Sequence, residues 1–415
     1  MIKRLGFKDG FFRHEKLILL ILMVYLINPL GYGNYVGFLL FPILISNKAI
    51  KANFDRNSLI LLAFSCSYVS IIYQYKGAYT IGFSNMIESL LFPIMMYSLG
   101  KYYQKKYAKE YSFYKIVFTV LFLFSLIAFI SIAIDIYHSG FNGNRNIPLI
   151  NYDSKKSMAA TLISSSVSLF LAFCGTLLIP ARFFEKKYKW IFLIFSLIAL
   201  IFTIRLGSRT GLGIFMLSFI LNYLIFIRYI SFRNKLLSSF ILLIIFFFIL
   251  KIPFFENSEI FSSYEWRVES EEFGNSTVGG RTQLWAKGVE NLINYPMGAA
   301  PYFKELSYSH NFWLDIGRVA GVIPMFFMLI FCIRMLYVLL KTIRIRSVSL
   351  FKRSVLLSLN IAFLSVSSVE PILEGNFAFL SVYFFLSGVI YVIYKQSYKP
   401  PSKLQRIFPE EHSFN

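Results

Sequence analysis

Charge is the first thing this chain lacks. Only 15% of its 415 residues are charged, while 57% are apolar. That composition excludes an ordinary soluble globular fold and points to a polytopic membrane protein. Cysteine is nearly missing: Cys66, Cys174 and Cys332 all lie inside apolar runs, so no disulfide framework is available. Metal-binding signatures are absent too. There is no HExxH, no Cys/His cluster and no DxD pair, and only four histidines in all. Neither a GxxxxGK[ST] nor a GxGxxG element occurs, so nothing suggests nucleotide hydrolysis. The first apolar run has no small-residue cleavage site and reads as a retained anchor rather than a signal peptide. Low-complexity tails are missing apart from a short basic C-terminal stretch with Pro400-Pro401, and no long internal repeat is visible.

What the chain does have is a series of long apolar runs. They define an all-α integral-membrane domain with about twelve expected spans, each near the 20 residues that a bilayer core requires. Their centres fall near Leu22, Leu40, Phe64, Leu90, Leu126, Val167, Leu197, Met216, Ile244, Met328, Ile361 and Leu386. The run around Leu40 is short and carries Pro42. It reads as half of a helical hairpin with the first run, turning at Asn28-Pro-Leu-Gly-Tyr-Gly33.

A net charge of +21 invites a nucleic-acid reading, but the distribution argues against one. Basic clusters at Lys3 to Lys16, Lys48 to Arg56, Lys101 to Lys115, Arg182 to Lys189, Arg228 to Lys235, Lys341 to Arg353 and Lys395 to Arg406 occupy every second loop. With the N-terminus in the cytoplasm, roughly 29 of the 42 Lys and Arg fall on that side. This alternation is a topology signal, with anionic lipid headgroups as the partner. It predicts cytoplasmic termini and one large loop outside, residues 253–309, between the ninth and tenth spans.

Polar residues in the remaining segments are the candidates for chemistry. Arg205 and Arg209 sit at a span end, four residues apart. They lie on one face if the helix continues, while Gly207 and Ser208 equally suit an irregular turn. Two guanidinium forks at such a mouth suit a pyrophosphate. The Phe141 to Pro148 stretch, with Arg145, reads as irregular outside loop. In the large loop, acidic residues from Glu256 to Glu272 precede Gly279-Gly280, which opens a predicted amphipathic helix over 281–294. Its apolar positions Leu284, Trp285, Val289, Leu292 and Ile293 fall on one face, and Asn294-Tyr-Pro296 ends it. Arg281 opens that helix, where the amides also favour an anion; a partner in the acidic run is the plainer alternative. His310 stands where the chain returns to the membrane, with Asn311 beside it, and can accept a hydroxyl proton near neutral pH. Asp315 and Arg318 come next and are expected to neutralise each other. Glu88, Asp135, Glu370 and Glu374 are the acidic residues in or near spans, and Glu370 is expected on the side of His310.

The order of these elements resembles the O-antigen ligase and polymerase superfamily, integral-membrane glycosyltransferases of surface-polysaccharide assembly. The resemblance rests on Ser208-Arg209-Thr-Gly at a span end, then Arg281-x-x-x-Trp285 with Pro296-x-Gly298 in a large outside loop. Ser309-His310-Asn311 and Gly317-x-x-x-Gly321 come at the next span. It covers the twelve-span plan and is most specific over about 203–325. It implies transfer of saccharide from an undecaprenyl diphosphate carrier at the periplasmic face of the inner membrane, with no cofactor. Arg209 and Arg281 would hold the diphosphate, and His310 would be the base for the acceptor. Arg205, Arg145, Asn311 and Trp285 accompany them as substrate-binding candidates. A chain-length regulator and a flippase are the implied protein partners. Ligases of the superfamily often carry His-x-His-Asn-Glu where this chain has Tyr308-Ser309-His310-Asn311-Phe312, which favours the polymerase. A ligase acting on lipid A-core is the near alternative, and a lipid-linked oligosaccharide flippase the alternative of another class. Transporters place their polar residues near the midplane, whereas here they cluster at one face.

Overall fold

The computed structural model describes residues 8–28, 32–42, 54–74, 83–106, 110–141, 186–229, 281–298 and 309–398, with a few isolated positions between them. Among the described residues every regular element is helical. The order is α1 (Lys8–Ile27), α2 (Gly33–Gly37), α3 (Arg56–Gln74), α4 (Phe83–Lys106), α5 (Glu110–Ser139), α6 (Lys186–Arg205) and α7 (Arg209–Phe226). Then come α8 (Arg281–Asn294), α9 (Phe312–Ala320), α10 (Val322–Arg344), α11 (Leu350–Val369), α12 (Ile372–Gly375) and α13 (Phe377–Ser397).

Among the described residues six stretches are long and apolar enough to cross a bilayer: Arg56–Gln74, Ile116–Ser139, Thr210–Tyr229, Val322–Arg344, Leu350–Val369 and Phe377–Ser397. Lys16–Ile27 and Ile194–Arg205 are shorter apolar helices. The protein is therefore a membrane protein, all-helical over the described residues. The runs expected around Val167 and Ile244 lie almost wholly outside the described residues, as does most of 253–309. Around Leu40 the chain forms the short α2 against α1. The turn before it is set by Asn28, whose φ of 50° is left-handed and whose Oδ1 accepts from the Gly33 amide at 2.7 Å.

α11 and α13 form the centre of the bundle: 83% and 78% of their apolar windows are buried, against 39% for α10, which turns a flank outward. α4 carries charges that lower its apolar character, and it survives inside the bundle by packing along α13. Two glycines allow that approach. A Cβ on Gly100 would stand 1.9 Å from the Phe385 carbonyl oxygen, and one on Gly388 would stand 2.1 Å from the Tyr97 carbonyl oxygen. Small residues at a membrane helix crossing let the backbones touch, where dispersion replaces the hydrophobic drive of water. Beside them, Phe363 of α11 stacks on Tyr383 of α13 with ring centroids 3.5 Å apart.

The α9–α10 break and the turn after α8 position the candidate site. α9 and α10 are one apolar segment broken at Gly321, which has φ 78°. The break receives the turn after α8: Val322 N–H donates to the Pro296 carbonyl at 2.8 Å. A Cβ on Gly321 would meet that carbonyl at 2.3 Å, and one on Gly298 would meet the Gly321 nitrogen at 2.6 Å. Pro296-x-Gly298 and Gly317-x-x-x-Gly321 are thus two halves of one joint. It fastens α8 to the start of α10.

Candidate functional site

The joint brings distant residues to one end of α11. Asn311 caps α9: its Oδ1 accepts from the amides of Trp313 at 3.1 Å and Leu314 at 3.3 Å. This is what an Asn at such a position does for orphan helix donors. Its Nδ2 reaches across to the Ser368 carbonyl at 3.2 Å. Two residues further on, Glu370 closes α11, and its Oε1 lies 3.5 Å from Nη2 of Arg281 on α8. Arg281 and the His310-Asn311 pair therefore converge on the same helix end, from two different segments. The acidic run upstream of α8, a plausible partner by sequence, lies outside the described residues.

His310 is half-buried and its φ is 49°. A left-handed conformation is uncommon outside glycine, although His tolerates it better than most. The strain is held on both sides. On one side Asn311 is fixed by its cap and by Ser368. On the other, the buried Ser309 donates to Asp315 Oδ1 from Oγ at 2.5 Å and from its amide at 3.1 Å. The expected Asp315–Arg318 pair forms, with Nε 3.6 Å from Oδ1 and both side chains buried. Asp315 thus has a second partner that sequence alone did not suggest. Local over-determination around a strained residue is typical of positions where geometry matters.

α8 spans Arg281–Asn294, the predicted interval, but its apolar residues divide. Gly288 and Asn291 are buried and Leu292 packs on Gly317 of α9. Trp285 is half-buried one turn beyond Arg281, and its indole N–H is buried without an acceptor among the described residues. Val289 and Ile293 face outward instead. The single apolar face expected from spacing is therefore two sectors.

The turn between α6 and α7 takes the irregular form. α6 ends at Arg205, Gly207 has φ 56°, and Ser208 caps α7 by accepting from the Gly211 amide at 3.2 Å. Arg209 is the first residue of α7; its side chain lies outside the described residues. Arg205 is fully buried. Its guanidinium pairs with Asp135 and donates from Nε to the Gly140 carbonyl at 3.0 Å, tying this turn to the end of α5. These partners are protein groups, and removing Asp135 would take a carboxylate partner from a buried guanidinium. Arg145 lies outside the described residues.

The Ser309–Asp315 contact and the Ser368 carbonyl were missed by sequence reasoning. Ser309 and Asp315 are six residues apart, and a Ser-x-x-x-x-x-Asp spacing across a helix cap carries no local signal. A further polar cluster joins Glu88 to α1, α2 and α13. Tyr25 Oη lies 3.2 Å from Glu88 Oε1 and 2.7 Å from Ser381 Oγ, while Asn34 Nδ2 donates to Glu88 Oε2 at 2.7 Å. It satisfies a buried carboxyl without a cation among the described residues.

Among the described residues no group of His, Cys, Asp and Glu is placed to hold a metal ion. Comparison with protein-family models, with curated proteins and with solved structures returns no match.

Proposed function

We propose that this protein is a membrane glycosyltransferase of the O-antigen polymerase type, acting at the periplasmic face of the bacterial inner membrane. On this reading about twelve helices span the bilayer, both termini are cytoplasmic, and 253–309 is the large periplasmic loop. The donor is an oligosaccharide repeat unit on undecaprenyl diphosphate, and the acceptor is a hydroxyl of a second lipid-linked unit. The observation that carries the reading is the convergence of Arg281 and His310-Asn311 on the end of α11. A cation for a diphosphate and a base for a hydroxyl are thereby held on one rigid helix end.

The chemistry rests on that pairing. The acceptor oxygen attacks the anomeric carbon, a new C–O bond forms, and the bond to the diphosphate oxygen breaks with its electron pair. Negative charge grows on the leaving oxygen. Guanidinium groups already oriented in a partly dry site stabilise it better than water can. Arg281 supplies one, and Arg209 the second. His310 takes the acceptor proton. Glu370 holds Arg281 at 3.5 Å, loose enough for a diphosphate to displace it. Trp285 and Asn311 border the donor and acceptor sides.

His310→Gln tests the proposal. It keeps polarity and size but cannot take the proton. Normal membrane levels with polymer formation reduced roughly 10²- to 10⁴-fold are expected, with lipid-linked single repeat units accumulating. Near-normal polymer ladders from this variant would remove His310 from the mechanism. Arg281→Ala should abolish polymer, and Arg281→Lys should restore it poorly, because an ammonium is a point charge rather than a fork.

A further inference from the structure

α8 has three sides, not two. At about 100° per residue, Arg281, Trp285, Gly288 and Leu292 share the side turned to α9. Gln283, Lys287 and Glu290 share a polar side, all exposed. Between them runs a third sector with Val289 and Ile293, 49% and 74% exposed, continued past the helix by Met297 at 50%. Water is a poor neighbour for such a strip, so the sector needs a cover.

The joint at Gly321 says what the cover is. Met297 lies against the backbone of Gly321, and Pro296 accepts from Val322, the first residue of α10. The outward flank of α10 begins at once with Ile323 and continues through Phe326 and Ile333, 45%, 58% and 56% exposed. α10 is one of the helices apolar enough to span a bilayer, so this flank is a lipid-facing surface. The exposed strip of α8 leads to it through Met297, whose backbone lies against Gly321 at the start of α10.

We propose that α8 is an interfacial helix. It lies in the headgroup layer where α10 enters the bilayer, with Val289, Ile293 and Met297 in the acyl boundary and Gln283, Lys287 and Glu290 in water. Amphipathic helices lying flat bury their apolar side about 5–10 Å into that boundary. The lateral sector belongs to lipid, the inner sector to α9. Resting on the glycosyltransferase reading, this deepens it: a helix lying flat keeps Arg281 at the depth of lipid phosphates. The diphosphate it meets then arrives sideways from the membrane on its own lipid anchor, not from solution.

The test places an environment-sensitive thiol probe at Ile293→Cys, Glu290→Cys or Phe326→Cys. It uses the full chain with Cys66, Cys174 and Cys332 replaced by Ala, reconstituted in phosphatidylethanolamine–phosphatidylglycerol vesicles. The expected result is that a lipid carrying a spin label near its carbonyl quenches the probes at 293 and 326 more than aqueous iodide does. At 290 the order reverses. Equal iodide quenching at 293 and 290 overturns the proposal. So does shielding of 293 from both quenchers, which would mean a protein cover, either another part of the chain or a second copy. The unmodified chain gives an independent check. In vesicles containing a phospholipid with a diazirine near the acyl carbonyl, adducts on 286–297 are expected, and adducts on α10 alone would overturn the assignment. Neither readout requires turnover, so its failure and that of the Arg281 and His310 activity tests are separable.

Discussion

The two ends of the helical bundle handle charge differently. At the end where α3 begins, Asp55 is enclosed by donors. Its Oδ1 accepts from the amides of Asn57 at 2.9 Å and Ser58 at 3.1 Å, while Oδ2 pairs with Lys101 and accepts from Tyr97 at 3.3 Å. Asn57 passes the network on, donating to Tyr97 Oη at 2.9 Å and accepting from Arg334 Nε at 2.9 Å. Lys101 also lies over the rings of Tyr97 and Tyr391, 5.2 Å from each centroid. Four helices, α3, α4, α10 and α13, are locked by groups whose partners here are protein. At the other end Arg281 and Glu370 stand 3.5 Å apart, and His310 sits in a left-handed conformation. There Trp285 has a buried N–H without an acceptor among the described residues. A saturated network stabilises a structure, and a loosely matched one leaves room for a ligand. The difference separates a structural clasp from a site.

Breaking the clasp should have the largest effect on stability. Asp55→Ala leaves Lys101 buried without its counter-charge, which costs about 3–5 kcal/mol. Thermal unfolding in detergent should show a large loss, with reduced membrane levels. Unchanged unfolding would mean the network is ornamental. Next comes the joint between α8 and α10. Gly321→Ala strains a φ of 78° and drives a methyl group into the Pro296 carbonyl. A loss of about 1–3 kcal/mol is expected, along with greater proteolysis of α8.

His310 sharpens the comparison from the site's side. His310→Val adds a β-branched residue to a left-handed backbone and should destabilise by about 1–2 kcal/mol. His310→Gly relieves the strain and should leave stability unchanged or higher while activity is lost. If both variants lose stability alike, the residue is a packing element rather than a strained functional one. The smallest stability effect belongs to Glu370→Gln, at about 1 kcal/mol, because the pair is 3.5 Å apart and the glutamine amide oxygen can still accept from Arg281. Its signature should appear in kinetics: removing the competing carboxylate from Arg281 should lower KM for the lipid-linked donor more than it changes kcat. A stability loss comparable to that of Asp55→Ala would place Glu370 with the clasp.

Much of the site was legible for local reasons. α8 could be read to its ends because Gly279-Gly280 and Tyr295-Pro296 punctuate it. Ser208 and Asn311 are residue types that favour the N-cap, but neither was expected as one. The expected Asp315–Arg318 pair forms because residues three apart on a helix are neighbours wherever the helix lies. By contrast, the partner of Arg281 is Glu370 on a remote helix, and the partner of Arg205 is Asp135 on α5. Nothing local distinguishes those carboxylates from others in the chain. The single apolar face read for α8 also failed. Spacing gives the angles of Val289 and Ile293, but which sector meets protein depends on where α9 stands.

By itself the sequence determined that this is a helical membrane protein, since hydropathy and run length act on each segment separately against the bilayer. It also determined where α8 stops, because Gly and Pro act on the backbone beside them. Only the tertiary structure decided which charges are locked and which are loosely held. Only it joined Pro296-x-Gly298 to Gly317-x-x-x-Gly321 and set Arg281 and His310 on one end of α11. Those outcomes depend on through-space contact between segments far apart in the chain, and such contacts exist only once the helices have packed.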